Sequence, residues 1–149
     1  MKIDAGKTAE YVCKNLLVDY AVKGKELSPY GYHAGARVRF DVYGVKRRTR
    51  EIRIFEVKSC RSDFKTDKKW QKYLPYCTHF AFVAPRGVIK LEELPKGVGL
   101  VEVWEHERTK NLMHRYARNC RKLNERVQDK EYIELLEAIS LRVVLGNST

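Results

Sequence analysis

An α/β fold, a mixed β-sheet flanked by helices, is predicted by three observations. Residues 36–43 and 51–58 alternate apolar and polar side chains on either side of a basic turn, as the two arms of a hairpin do. Residues 79–84 and 98–104 are short apolar runs between Pro- and Gly-bearing loops, the pattern of buried parallel strands. Other stretches repeat apolar residues at steps of three and four, which is helical spacing. A chain of 149 residues is expected to form one domain over 1–149, with its core at about 3–104 and C-terminal helices at about 109–145.

Taken in order, residues 3–23 read as a helix through Ala9, Val12, Cys13, Leu16, Leu17 and Tyr20, with Gly24 as its stop. A short extended piece is expected from Leu27 to Tyr32, between Pro29 and the glycines at 31 and 35. In 36–43, Val38, Phe40 and Val42 share one side, and Arg37, Arg39, Asp41 and Tyr43 the other. Gly44 opens a turn whose tip, 46–50, is Lys-Arg-Arg-Thr-Arg. The strand 51–58 becomes apolar on both faces from Ile54 to Val57, as a central strand does. Ser62 or Asp63 caps a second helix running to about Leu74, where Pro75 stops it, with Trp70, Tyr73, Leu74 and Cys77 inward. Lys65, Lys68, Lys69 and Lys72 then fall on about a third of its circumference. After the two parallel strands, 109–127 reads as a basic amphipathic helix with Leu112, Tyr116, Cys120, Leu123 and Val127 inward, and a last helix covers about 130–145 before Gly146.

Thirty Lys and Arg against 19 Asp and Glu give a formal charge of +11, which favours polyanionic partners. No apolar run approaches the roughly 20 residues needed to span a membrane, and the start, Met1-Lys2-Ile3-Asp4, lacks the apolar centre of a signal peptide. The expectation is a cytoplasmic protein, nucleoid-associated if bacterial. Cys13, Cys60, Cys77 and Cys120 form no CxxC pair, and His33, His79, His106 and His114 show no metal-ligand spacing, so reduced thiols and ordinary histidines are expected.

Chemistry concentrates where the two arms of the hairpin meet. Glu56 and Lys58, at i and i+2, project from one side of their strand, and pairing with the first arm brings Asp41 to the same side. Two carboxylates and an ammonium at one spot suit a divalent metal and an anionic substrate; in so basic a chain, that substrate is a phosphodiester. The structural alternative is a cross-strand ion pair worth at most about 1 kcal/mol if exposed. Ile54, Phe55 and Val57 argue for burial instead, where unpaired acids are costly.

The order of elements, with Asp41 and Glu56-Val57-Lys58 at two strand ends, resembles the PD-(D/E)XK nuclease superfamily. Within it, the run from Glu56 to Cys77 is similar to the MmcB-type DNA repair family. The likeness rests on the Glu-x-Lys-Ser start, Asp63-Phe64, Asp67, Lys69-Trp70, Tyr73 and Cys77, and continues through 80–85, Leu94-Pro95 and Gly99-Leu100. Phe40, where the superfamily motif has Pro before the acid, is a departure. The resemblance implies a restriction-endonuclease-like αβββαβ core and a nuclease acting in DNA repair or recombination, or a phage or mobile-element version. It implies Mg²⁺, replaceable by Mn²⁺, held by Asp41, Glu56 and the Val57 backbone carbonyl, and a supporting acid on the first helix, Glu10. Such an ion polarises the phosphate and lowers the pKa of water; Lys58 would orient that water and stabilise the developing charge.

Lys65, Lys68, Lys69 and Lys72, together with Arg47 and Arg48 of the basic turn and the cations at 115, 118, 121 and 122, are the expected phosphate track. Six such contacts on duplex DNA imply a log–log salt slope near −5. Trp70 and Tyr73 read as core, and Asp63 and Asp67 as capping or lysine-holding acids. Two alternatives stand beside the nuclease: a catalytically silent DNA-binding module of the same fold, and an RNA-directed binder or nuclease. A homodimer would let both strands of a duplex be cut.

Overall fold

The computed structural model describes residues 3–29 and 38–144. Residues 30–32 of the expected second element, together with His33, Arg37 and Gly146, lie outside them. Among the described residues six strands form one sheet in the order β1 (Val22–Leu27), β2 (Phe40–Lys46), β3 (Glu51–Val57), β4 (His79–Pro85), β5 (Gly99–Glu105) and β6 (Leu112–Arg118). The pairs β1–β2, β2–β3 and β5–β6 are antiparallel, while β3–β4 and β4–β5 are parallel. With α1 (Ala5–Asn15) before the sheet, α2 (Arg61–Thr66) between β3 and β4, and α3 (Asp129–Val144) at the end, the order is compatible with a restriction-endonuclease-like fold.

Two apolar layers sandwich the sheet. On one face Val42, Phe55, Val57, Ala81, Val83, Val101 and Val103 pack under α1 through Ala9 and Val12, and under Leu17 and Tyr20 beyond it. On the other, Ile52, Ile54, Phe80, Phe82 and Leu100 pack against Tyr73, Tyr76, Leu135 and Ala138. The parallel strands β3 and β4 are apolar toward both layers because both are covered; Phe80 and Phe82 are fully buried, each worth roughly 2–3 kcal/mol of transfer free energy.

Four expectations need correction. The first helix is shorter than 3–23: Asp4 caps it through the Lys7 N–H, it ends at Leu16, and residues 22–27 form β1 instead. The same three- and four-residue spacing is met by Leu17 and Tyr20 in a turn that returns the chain to the same layer. The presumed helix at 109–127 is β6 and an extended tail. Leu112, Tyr116 and Cys120 are four apart, a spacing that strand and helix share, and the alternating burial from Leu112 to Tyr116 marks the strand. One helix, not two, therefore follows β5. The shared side of Val38, Phe40 and Val42 is split: Val38 and Phe40 pack in one layer, Val42 in the other. The register of β1 and β2 skips Glu26 opposite Asp41, and Glu26 has a positive φ of 53°. Finally, the helix over 62–74 is broken, as described next.

Candidate functional site

The β2–β3 ladder ends with Val42 opposite Phe55. One step beyond, a side chain rather than a carbonyl continues the pairing: Asp41 Oδ2 accepts the Val57 N–H at 2.8 Å. Glu56 and Lys58 point away from the α1 layer, because Phe55 and Val57 point into it. The sequence thus brings Asp41, Glu56 and Lys58 together. The carboxyls of Asp41 and Glu56 are within hydrogen-bonding reach, and Lys58 Nζ lies 3.4 Å from Glu56 Oε2. Glu56 and Lys58 are 6% and 8% exposed; Asp41 is half-buried.

A fourth group completes the cluster. Asp67 Oδ2 sits 2.6 Å from Lys58 Nζ, and the Asp67 side chain is 9% exposed. Its other oxygen accepts the N–H groups of Lys69 and Trp70, at 2.8 and 3.2 Å. These bonds explain why the second helix does not run on. The chain turns extended at Asp67 (φ −75°, ψ 113°) and resumes as a 3-10 helix over Trp70–Tyr76. Neither Ser62 nor Asp63 is the cap; Cys60 holds that position without a side-chain capping bond to the helix N–H groups, and Asp63 accepts the N–H and hydroxyl of Ser59. Tyr73 reaches the site from the 3-10 segment, its hydroxyl 3.5 Å from Glu56 Oε2. Trp70 stacks on Phe80 at 5.6 Å and lies edge-on to Phe82, packing against the floor of the site.

The electrostatics follow from burial and from an excess of acid. Three carboxyls face one ammonium. Burial first, then the neighbouring Asp41 charge, push the Glu56 pKa up to about 9. Asp41 is also raised by burial, an effect limited by the Val57 N–H and by Glu56. The proton therefore belongs on Glu56, which donates to Asp41. Burial works against the Lys58 cation, but Asp67 and Glu56 outweigh it and hold its pKa above the usual lysine value. Lys58 is a fixed cation at neutral pH, suited to stabilising negative charge and unsuited to accepting a proton. Among the described residues no donor satisfies the buried Glu56 Oε1. An orphaned oxygen beside a second carboxyl is a place for a proton, or for a cation instead. Among the described residues no group of three or more His, Cys, Asp and Glu is set to hold a metal. A two-carboxylate site still fits Mg²⁺, which keeps most of its water.

Other expected site residues lie elsewhere. Glu10 is on α1, across the sheet from Glu56, where its exposed carboxylate pairs with Lys25. Arg47 and Arg48 are exposed in the β2–β3 turn, at the opposite end of the hairpin, about 17 Å from Glu56 by the rise of five strand residues. Lys65, Lys68, Lys69 and Lys72 are exposed, but the break at Asp67 places Lys65 on α2, Lys68 and Lys69 in the link and Lys72 on the 3-10 segment, so they do not share one helical face. Arg115 pairs with Glu102, and Arg118 donates to the carbonyls of Val98 and Pro95. All four cysteines are free. No described helix is long and apolar enough to cross a membrane. Asp67 and Tyr73 are the members of the cluster not counted as site residues from sequence, although both belong to the run that carried the family resemblance.

A solved structure of a protein of unknown function from Silicibacter pomeroyi has a similar fold, with a TM-score of 0.69 at 23% identity over 97% of this chain and 89% of that one. No curated protein matches. The family model for MmcB-like DNA repair proteins matches residues 21–130, a span holding Asp41, Glu56, Lys58, Asp67 and Tyr73, and the chain belongs to that family.

Proposed function

We propose that this protein hydrolyses phosphodiester bonds of DNA in a repair pathway, using Mg²⁺ or Mn²⁺ held by Asp41, Glu56 and the Val57 carbonyl. The observation that carries this reading is the buried Glu56 Oε1, without a donor and beside the Asp41 carboxyl, with the Lys58 ammonium on the other side of the same carboxylate. Membership of a DNA repair family supports the repair role. The ion, when bound, supplies Lewis-acid polarisation of a phosphate oxygen and acidifies water. Asp41 and Glu56 would hold it, and the Tyr73 hydroxyl and Lys58 hold the Glu56 carboxylate in one rotamer. Lys58, kept cationic, stabilises charge developing on the phosphate, and does so more strongly in a water-poor recess than in bulk solvent. The exposed Lys65, Lys68, Lys69 and Lys72 supply phosphate contacts beside the opening. The test is incubation of wild type and Lys58→Ala with plasmid, single-stranded circle and a synthetic junction, in Mn²⁺ or EDTA. Metal-dependent cleavage lost in the variant is expected; equal cleavage by both proteins would overturn the assignment.

A second reading, a silent DNA-binding module, is favoured by one observation. Lys58 is committed to Asp67 at 2.6 Å and is nearly buried, as a structural lysine would be. In that case no metal-dependent product forms, and Asp41→Asn leaves DNA affinity unchanged.

A further inference from the structure

A basic recess, distinct from the acidic candidate site, lies on the other side of the sheet. One side of α1, along its length, and the β5–β6 turn with the start of β6 enclose an open cleft of ≈720 Å³, lined by Lys7, Glu10, Tyr11, Lys14, Lys110 and Asn111 among others. Its single carboxylate, Glu10, is neutralised by Lys25. Lys7, Lys14 and Lys110 form no salt bridge among the described residues, so three ammoniums without a direct ion-pair partner border one concavity, Lys14 acting on Glu10 only at longer range. The walls are held in place: the Tyr11 hydroxyl and His114 Nδ1 are 2.7 Å apart, joining α1 to β6, and their rings meet edge-on. Lys110 sits at a positive φ of 63° in the β5–β6 turn, which is closed by its N–H bonding to the His106 carbonyl. Folding thus places the lysine in a backbone conformation that non-glycine residues seldom adopt.

We propose that this cleft binds the backbone of a single nucleic-acid strand, as a contact separate from the candidate hydrolytic site. The ligand class follows from the lining. Ammonium groups recognise phosphate without reading sequence, the Asn111 side chain supplies further polar contacts, and Tyr11 offers a ring at the wall for a base. A recess between a helix and a strand admits one flexible strand, whereas the phosphates of a duplex lie on a convex surface. The proposal extends the DNA reading but does not depend on hydrolysis.

The experiment measures binding of a labelled oligothymidylate and of a matched-length duplex at 50–200 mM salt, in EDTA. Wild type is compared with Lys7→Gln/Lys14→Gln/Lys110→Gln, with Lys65→Gln/Lys68→Gln/Lys69→Gln/Lys72→Gln and with Glu10→Gln. At about 0.7 per single-strand phosphate, the first variant should have a log–log slope shallower by about 2. Wild type then loses about 16-fold more affinity than that variant between 50 and 200 mM salt. Glu10→Gln, which removes the carboxylate and releases Lys25, should bind the oligonucleotide more tightly. An unchanged slope in the cleft variant, or a change seen with duplex alone, overturns the proposal. If only the Lys65–Lys72 variant weakens binding, the cleft fails and the contact beside the candidate site stands; the reverse result separates them the other way. Should the triple variant not fold, Glu10→Gln decides: tighter binding supports the cleft, and unchanged or weaker binding removes it.

Discussion

Replacing Glu56 by Gln tests the site without requiring catalysis. The Glu56 carboxyl titrates near pH 4.5 when exposed and at about 9 in the fold. Below pH 4.5 both states hold the proton; above 9 neither does. Between these limits folding takes up a proton, so this group makes stability fall as pH rises, by up to about 1.4 kcal/mol per pH unit. From pH 5 to pH 8 that amounts to about 4 kcal/mol. Gln keeps the shape and presents a permanent donor toward Asp41, so the variant should lose this dependence. Urea unfolding of both proteins at pH 5, 6, 7 and 8, in EDTA, gives the difference for Glu56 together with the Asp41 carboxyl coupled to it, because the more distant titrating groups are common to both. Wild type should weaken relative to Glu56→Gln by about 4 kcal/mol across the series. Adding Mn²⁺ should then restore wild type by about 3 kcal/mol at 100 times Kd and the variant by much less. Parallel pH–stability curves would refute the claim that Glu56 is a buried acid with its proton forced on it. Parallel curves together with equal metal effects would remove the metal site as well.

Three further outcomes follow from particular contacts. Lys58→Ala should destabilise by about 3–5 kcal/mol, because it strands the buried Asp67 carboxylate; adding Asp67→Asn should recover most of this in a double-mutant cycle by urea unfolding. Thr78→Val should cost about 1–3 kcal/mol in the same assay, since the buried hydroxyl serves both the N–H and the carbonyl of Ile52 at 3.0 Å. Gly99→Ala should cost about 1–3 kcal/mol and lower the melting temperature, because a Cβ there would lie 2.8 Å from Cys120 Sγ and 3.0 Å from its backbone nitrogen.

What was legible in the sequence were the strands whose burial leaves a one-dimensional trace. The apolar runs at 79–84 and 98–104 became β4 and β5, parallel as expected, because only a strand covered on both sides needs such continuous apolar residues. The meeting of Asp41, Glu56 and Lys58 was legible because strand alternation and a short hairpin fix which side chains can share a face. The edge strands were not. β1 is Val-Lys-Gly-Lys-Glu-Leu, with one fully buried residue, and its apolar content is too slight to separate it from the end of a helix. β6 carries residues four apart that fit both periods. Glu10 was assigned to the site by likeness, and the side of the sheet on which α1 packs is a tertiary choice that no local pattern states.

The break at Asp67 shows how the candidate site shapes the fold around it. A continuous helix from 61 to 74 would satisfy local propensity and align the four lysines, yet Pro75 lies within the 3-10 segment and the chain leaves the helical path at Asp67. Three interactions accompany this departure: the ion pair to Lys58 and the two N–H bonds from Lys69 and Trp70. Without Asp67, the nearly buried Lys58 ammonium would keep Glu56, a carboxyl that holds its proton at neutral pH, as its salt-bridge partner, with the Asp41 charge farther off. Asp67 therefore supplies the charge that keeps Lys58 cationic while Glu56 is protonated. A divalent ion in place of that proton would make Glu56 anionic but bring its own positive charge beside Lys58, so metal loading and the lysine's surroundings would be coupled through one carboxylate. Asp67→Asn should accordingly raise the dependence of Lys58 on the metal: the Nζ resonance followed by NMR should shift on Mg²⁺ addition more in the variant than in wild type. An equal shift in both would mean that Asp67 organises the chain path alone and not the charge of the site.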